Sequence, residues 1–265
     1  MTERLNPPVS GASFGANPSF SDLLRDSRPE VVRSEREIST TDVLVPHGTT
    51  VLGLKYADGV IMAGDRRATA GYTVADAKMR KVFAADDYSA IAIAGAAGQA
   101  IEMVKLFQLE LEHYEKITGD RLSLEGKANR LAQMIRSNFP LALQGLVVVP
   151  LFGGFDHTVG EGRIFYYDAT GGRWEEDDYQ TTGSGGQPAK NSLKKRWRAG
   201  LSRSEALRVA VEALMDAAED DVATGGPDPM RKIFPNALAV TGSGAADVPE
   251  DEISAAVAAV LEERS

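Results

Sequence analysis

An α+β fold with segregated layers is predicted by three observations. Strand-forming and helix-forming segments come in runs: strands, two helices, strands, two helices, one strand and one helix. Asp58-Gly59, a tight-turn pair, separates two short apolar runs and makes them a hairpin. The helical segments keep apolar residues near helical spacing, as at Val104, Phe107, Leu111 and Tyr114. Strict alternation of strand and helix is missing, which argues against Rossmann and TIM architectures. Two sheets stacked between helix layers suit the order, and no internal repeat is present.

Residues 1–48 stand apart. They are polar and rich in turn formers, beginning Asn6-Pro7-Pro8, with one short apolar cluster from Phe20 to Leu24. They read as a tail, a linker or a removable prosegment. From Thr49 the texture changes. Residues 49–56 and 60–64 are the two hairpin strands. Two more strands, 81–83 and 89–95, flank a turn at Asp86-Asp87, and their continuous apolar character predicts burial on both faces. A helix follows over 99–116. A second starts at Ser123, a good N-cap, and runs to about residue 139, where Pro140 interrupts or ends it. Strands return at 146–155 and 163–168, with extended segments near Trp174 and Thr181. Helices are predicted at 188–198 and at 202–220, the latter opened by the capping box Ser202-x-x-Glu205. A strand at 234–240 and a helix at 249–263 close the chain.

Bulk composition narrows the function classes. Of 265 residues, 43% are hydrophobic and 25% charged, enough for a real core. The formal net charge of -9 argues against nucleic acid or anionic membrane as the main partner. The short basic stretch Lys194, Lys195, Arg196, Arg198 reads as a solvated helix face. Cysteine is absent, which excludes disulfides, a thiolate nucleophile and a cysteine metal site. His47, His113 and His157 lack the spacing of a zinc helix and lie in no nucleophile-elbow context. No run reaches the length of a membrane helix, and no secretory signal pattern opens the chain. A cytoplasmic protein is predicted.

The chemistry-bearing feature is Gly48-Thr49. A hydroxyl is a weak nucleophile until a base takes its proton. A free α-amine, with an ordinary pKa of about 7.7–8.0, can be that base. Inside a peptide bond the same nitrogen cannot. Cleavage before Thr49 would therefore create the base, and glycine at residue 48 lets the backbone bend for attack on its own carbonyl. By itself the pair is a weak signal, and its plainer reading is a loop glycine before a strand threonine. On an extended strand Thr49, Val51, Gly53 and Lys55 share one face, and Thr50, Leu52 and Leu54 the other. The hairpin partner, about 5 Å away, ends in Asp65 and returns it near Thr49. Lys81 opens the next apolar strand. Beside a carboxylate, a buried lysine stays cationic and lowers the cost of a neutral amine and a developing alkoxide. A structural salt bridge is the plainer reading of Asp65 and Lys81.

Set side by side, His47-Gly48-Thr49-Thr50-Val51, Gly64-Asp65-Arg66-Arg67-Ala68-Thr69, Arg80-Lys81-Val82 and Ala94-Gly95 resemble catalytic β subunits of the 20S proteasome. Gly183-Ser184-Gly185 and Asp221-Val222-Ala223-Thr224-Gly225-Gly226 match two later motifs of that family. The resemblance runs from Thr49 to the C-terminus, and is to the actinobacterial type in the Gly-Gly-Pro-Asp run and the long prosegment.

The resemblance implies the four-layer αββα sandwich of N-terminal nucleophile hydrolases. It implies a threonine endopeptidase whose residues 1–48 are removed by autolysis between Gly48 and Thr49. Thr49 is the implied nucleophile and its amine the general base, with Asp65 and Lys81 as the charged pair that tunes it. Gly95 is the implied oxyanion donor. Ser184, Asp221 and Thr224 are implied to support the amine and a water, although the family often has serine at the last position. Arg67 is implied to buttress the site and Thr69 to align substrate as an added strand. Ala68, Met79, Phe83, Ile93 and Ala97 are the implied pocket for the side chain before the cut, with an apolar preference, although any one of them reads equally as a core residue. No metal or cofactor is implied. The implied partners are proteasome α subunits and other β subunits, in four stacked seven-membered rings, with an ATPase ring regulator and substrates tagged by a ubiquitin-like protein. Competing readings are a heat-shock-locus threonine peptidase, a non-catalytic ring subunit and a small-molecule amidase. The 48 residues before Thr49 argue against the first, and the retained threonine and lysine against the second.

Overall fold

Among the described residues the chain first reverses at the predicted Asp58-Gly59 turn, joining strand β1 (Thr50–Tyr56) antiparallel to β2 (Gly59–Gly64). A computed structural model describes residues 48–70 and 73–265. Of the predicted prosegment, all but Gly48 lies outside the described residues, including the cluster at 20–24. A short ribbon follows, β3 (Ala68–Ala70) with β4 (Thr73–Asp76). Next come β5 (Val82–Asp86) and β6 (Ser89–Gly95), then helices α1 (Ala97–Thr118) and α2 (Leu124–Ser137). Ser123 caps α2 as predicted, its hydroxyl accepting the Gly126 N–H. Pro140 opens a separate short helix, α3 (Phe139–Ala142), where its missing N–H is tolerated. Strands β7 (Val148–Asp156), β8 (Glu161–Tyr167), β9 (Arg173–Glu176) and β10 (Tyr179–Gly183) precede α4 (Gly186–Arg196) and α5 (Arg203–Asp220). The Ser202–Glu205 capping box is present in full. Strands β11 (Asn236–Thr241) and β12 (Gly244–Asp247) and helix α6 (Glu250–Arg264) complete the order.

Two five-stranded antiparallel sheets result, in the orders β10-β1-β2-β11-β12 and β5-β6-β7-β8-β9. The alternation read along β1 decides what each face meets. Val51 joins Val60, Met62, Ala92, Leu151, Ile164 and Val240 in an apolar layer between the sheets. Leu52 and Leu54 face the other way, packing with Ala189, Leu207, Ala210, Leu214 and Val257 of α4, α5 and α6. On the far side, Ile91, Phe152 and Phe165 pack under α1 and α2 against Phe107, Leu131 and Ile135. The described residues thus form an α+β sandwich of four layers, helix, sheet, sheet, helix. Each large apolar side chain so enclosed contributes about 1.5–3 kcal/mol.

Burial on both faces holds for β6, which is buried from Ser89 to Ala94, but not for β5. As an edge strand, β5 leaves Phe83 and Ala84 half-buried. The basic stretch is the solvated face predicted for Lys194 and Lys195, which are exposed. Arg196 instead turns inward, pairing with Glu212 and Asp216 of α5. Among the described residues no helix is long and apolar enough to cross a membrane.

Candidate active site

The start of β1 is where the sheets' geometry concentrates polar groups. Thr49 is 5% exposed and Thr50 fully buried. The Thr49 carbonyl accepts the Ser184 N–H at 2.8 Å, and Gly183, with φ +100, makes that approach possible. A Cβ at Gly183 would stand 1.8 Å from the Thr49 carbonyl oxygen. The Thr49 N–H donates to Ser184 Oγ (3.3 Å), and that hydroxyl donates to Asp221 Oδ2 (2.5 Å).

Asp65 sits just past β2, where the β1–β2 register brings it opposite Thr50. Its carboxylate is fully buried and accepts four bonds: Thr50 N–H (2.8 Å), Arg67 N–H (2.9 Å), Gly225 N–H (2.9 Å) and the Lys81 ammonium (2.6 Å). Three backbone donors and a cation replace the water such a charge loses on burial. Lys81, also fully buried, donates to Arg67 O (2.5 Å) and reaches Gly48 O at 3.5 Å. Burial pulls the Lys81 pKa below its ordinary value, against the opposing pull of Asp65 and Asp221. Asn236 holds the lysine's backbone, its Oδ1 accepting Lys81 N–H (3.1 Å) while its Nδ2 donates to Val82 O (3.0 Å).

A chain of hydroxyls runs beside this pair. The Gly185 N–H donates to Thr50 Oγ1 (3.0 Å), Thr50 and Thr224 share a bond of 2.6 Å, and Thr224 Oγ1 donates to Asp221 Oδ2 (2.6 Å). A hydroxyl has one proton. Thr224 gives its own to Asp221, so Thr50 is the donor to Thr224. Burial alone would raise the Asp221 pKa, but hydrogen bonds from Ser184, Thr224 and Ala223 N–H, with the Lys81 charge, hold it below the usual carboxylate range. Ser184, which donates to Asp221, presents acceptor capacity to the residue-49 nitrogen.

Nine of the predicted residues are therefore tied into one bonded network: Gly48, Thr49, Asp65, Arg67, Thr69, Lys81, Ser184, Asp221 and Thr224. Thr69 joins it through its hydroxyl, which accepts the Gly48 N–H at 3.0 Å. Arg67 Nη1 donates to Val222 O (2.8 Å), bracing the turn that carries Asp221 and Thr224. Gly95 ends β6 with φ +114, on the strand whose Ile93 N–H bonds to Lys81 O (2.9 Å). A Cβ there would meet Val147 O at 2.0 Å, so only glycine fits. The apolar five lie on separate segments. Ala68 is on β3, Met79 follows the ribbon, Phe83 lies under Arg80 at the β5 edge, and Ala97 begins α1. Ile93 is 2% exposed and belongs to the cluster beneath α1 and α2.

Sequence reading missed Thr50, Arg66, Asn236 and Ala223. Thr50 carried a signal only as a second threonine beside Thr49. Arg66 clamps the base of the β3–β4 ribbon, its guanidinium bonding Lys78 O (2.5 Å) and Met79 O (3.0 Å) while Met79 N–H returns to Arg66 O (3.0 Å).

Comparison with known proteins shows the family. A family model described as "Proteasome subunit" matches residues 45–230. A curated relative, "Proteasome subunit beta" of Streptomyces griseus subsp. griseus, is 53% identical over 248 residues, covering 93% of this chain and 88% of the relative. The chain belongs to the proteasome family, as a β-type subunit of the 20S core that assembles with other proteasome subunits.

Proposed function

We propose that the chain is a threonine endopeptidase of the proteasome core, switched on by cutting itself between Gly48 and Thr49. One observation carries this reading. The peptide bond joining those residues is bracketed by polar groups suited to its cleavage: Ser184 at the nitrogen (3.3 Å) and the Lys81 ammonium toward the carbonyl oxygen (3.5 Å).

In the first step Thr49 Oγ1 gives up its proton and adds to the Gly48 carbonyl carbon, and the C–N bond breaks as that proton is delivered to the nitrogen. The acyl group is left as an ester on Oγ1. Water hydrolyses the ester, releasing residues 1–48 with a Gly48 carboxylate and leaving a free amine on Thr49. In turnover that amine takes the Oγ1 proton, Oγ1 attacks a substrate carbonyl, and the amine passes the proton to the departing peptide nitrogen. Water then frees the acyl product. Lys81 supplies positive charge, and Asp65 anchors it. Gly95 N–H is the oxyanion donor. Ser184 accepts from the protonated amine, and Asp221 and Thr224 support it from behind and help to hold a water. Arg67 braces them, and Thr69 lines up the substrate backbone.

Ala68, Met79, Phe83, Ile93 and Ala97 are proposed to shape an apolar preference before the cut, with Ile93 as floor rather than wall. The implied setting is a cytoplasmic core of stacked seven-membered rings, fed by an ATPase ring with substrates carrying a ubiquitin-like tag. The test is intact-mass measurement of the chain assembled with its α partner. A mature N-terminus at Thr49 is expected. The Thr49→Ala variant is expected to keep residues 1–48 and lose peptide hydrolysis. Processing elsewhere, or full activity in that variant, would remove the mechanism.

A further inference from the structure

We infer that Ala223 is a size gauge that restricts the residue before the cut to glycine. The inference rests on self-cleavage at Thr49, and concerns what selects the acyl side of that bond. Gly48 is buried directly against the turn that follows α5. A Cβ built on Gly48 would stand 1.8 Å from Ala223 Cβ, 2.7 Å from Ala223 Cα and 2.8 Å from Ala223 O. Carbon atoms rest about 3.5–4.0 Å apart, so even alanine at residue 48 demands a shift of roughly 2 Å.

Neither side can yield that distance cheaply. Gly48 is held by its N–H on Thr69 Oγ1 (3.0 Å), and its carbonyl faces Lys81 Nζ (3.5 Å). Ala223 is held by its N–H on Asp221 Oδ1 (3.1 Å). Its neighbours are pinned as well: Val222 O by Arg67 (2.8 Å), Thr224 N–H by Asp221 O (3.0 Å) and Gly225 N–H by Asp65 (2.9 Å). The groups that fix the wall are those proposed to act on Thr49. A side chain at residue 48 thus displaces either the carbonyl under attack or the residues serving the nitrogen. A misplacement of about 1 Å costs on the order of a hundredfold in rate.

The experiment follows precursor processing of the full chain, assembled with its α partner, by intact mass over time. Gly48→Ala is expected to slow cleavage before Thr49 at least tenfold. Adding Ala223→Gly removes the 1.8 Å overlap between side chains but leaves the backbone of residue 223 at 2.7 Å, so partial recovery of at least threefold is expected. The coupling between the two sites is the diagnostic quantity. A second arm leaves residue 48 alone: Ala223→Val enlarges the wall and is expected to slow cleavage of the native Gly48 junction at least tenfold. A wild-type chain that is never cut at Thr49 sinks the peptidase reading itself. If the wild type is cut there, the gauge alone is overturned by Gly48→Ala processing at the wild-type rate, by no recovery on adding Ala223→Gly, or by unslowed cleavage in Ala223→Val.

Discussion

Lys81 Nζ lies 2.6 Å from Asp65 Oδ1 with neither side chain exposed to solvent. The pair joins the two sheets at their polar end, since Asp65 follows β2 and Lys81 precedes β5. Its partners are unequal. Asp65 keeps three backbone donors without the lysine, whereas Lys81 without Asp65 keeps the carbonyl of Arg67 and the more distant one of Gly48.

Breaking the pair should therefore be asymmetric. Asp65→Asn is expected to cost about 3–5 kcal/mol, the usual penalty for stranding a buried charge. Lys81→Met is expected to cost less. Urea unfolding of the two variants compares them. The sign of the pH dependence is also set. Burial depresses the Lys81 pKa, so the unfolded chain binds more protons than the folded one between the two values. Asp65→Asn deepens that depression, and its stability should climb as pH rises from neutral toward the ordinary lysine range. A flat profile would mean that Lys81 keeps its ordinary pKa and stays charged in the variant, against the depression by burial.

The hydroxyl chain makes Thr50 testable apart from Thr49. Thr50→Val keeps the shape but strands the Gly185 N–H and removes the proton given to Thr224. A loss of about 1–3 kcal/mol is expected from the unpaired buried donor. Thr50→Ser should restore most of it, together with peptide hydrolysis. If serine and valine behave alike, the hydroxyl is not what matters.

Asp221 provides an acid-side readout. Its folded pKa is held below the ordinary 3.8, so the stability it contributes is present above that value and lost as pH falls through the lower folded one. The stability gap between wild type and Asp221→Asn should be level between about pH 5 and 7 and should close in strong acid. A gap that persists unchanged at low pH would mean that shape, rather than charge, is responsible.

Arg66 separates binding from chemistry. It holds the ribbon that carries Thr69 through the carbonyls of Lys78 and Met79. Arg66→Met should loosen β3 and raise KM for peptides several-fold more than it lowers kcat, the signature of lost ground-state alignment. A pure fall in kcat would place the arginine in the chemistry.

Much of the fold was legible along the chain because periodicity and capping are local. The Asp58-Gly59 turn, the Ser123 and Ser202 caps and the alternation of Val51 against Leu52 all survive as read. The ribbon β3–β4 was not legible, since β4 is exposed throughout and carries no apolar alternation. Nor was β12, a four-residue edge strand of small residues.

What the sequence determined by itself is adjacency: a glycine joined to a threonine, a hairpin that must return Asp65, and a lysine opening the next apolar strand. What the tertiary structure decided is convergence. Ser184 lies 135 residues from Thr49, and Thr224 lies 174 residues from Thr50. No local propensity encodes such separations. They close because β10 pairs with β1 in one register and α5 packs on that sheet's outer face, which sets Asp221, Ala223 and Thr224 against the Gly48-Thr49 bond.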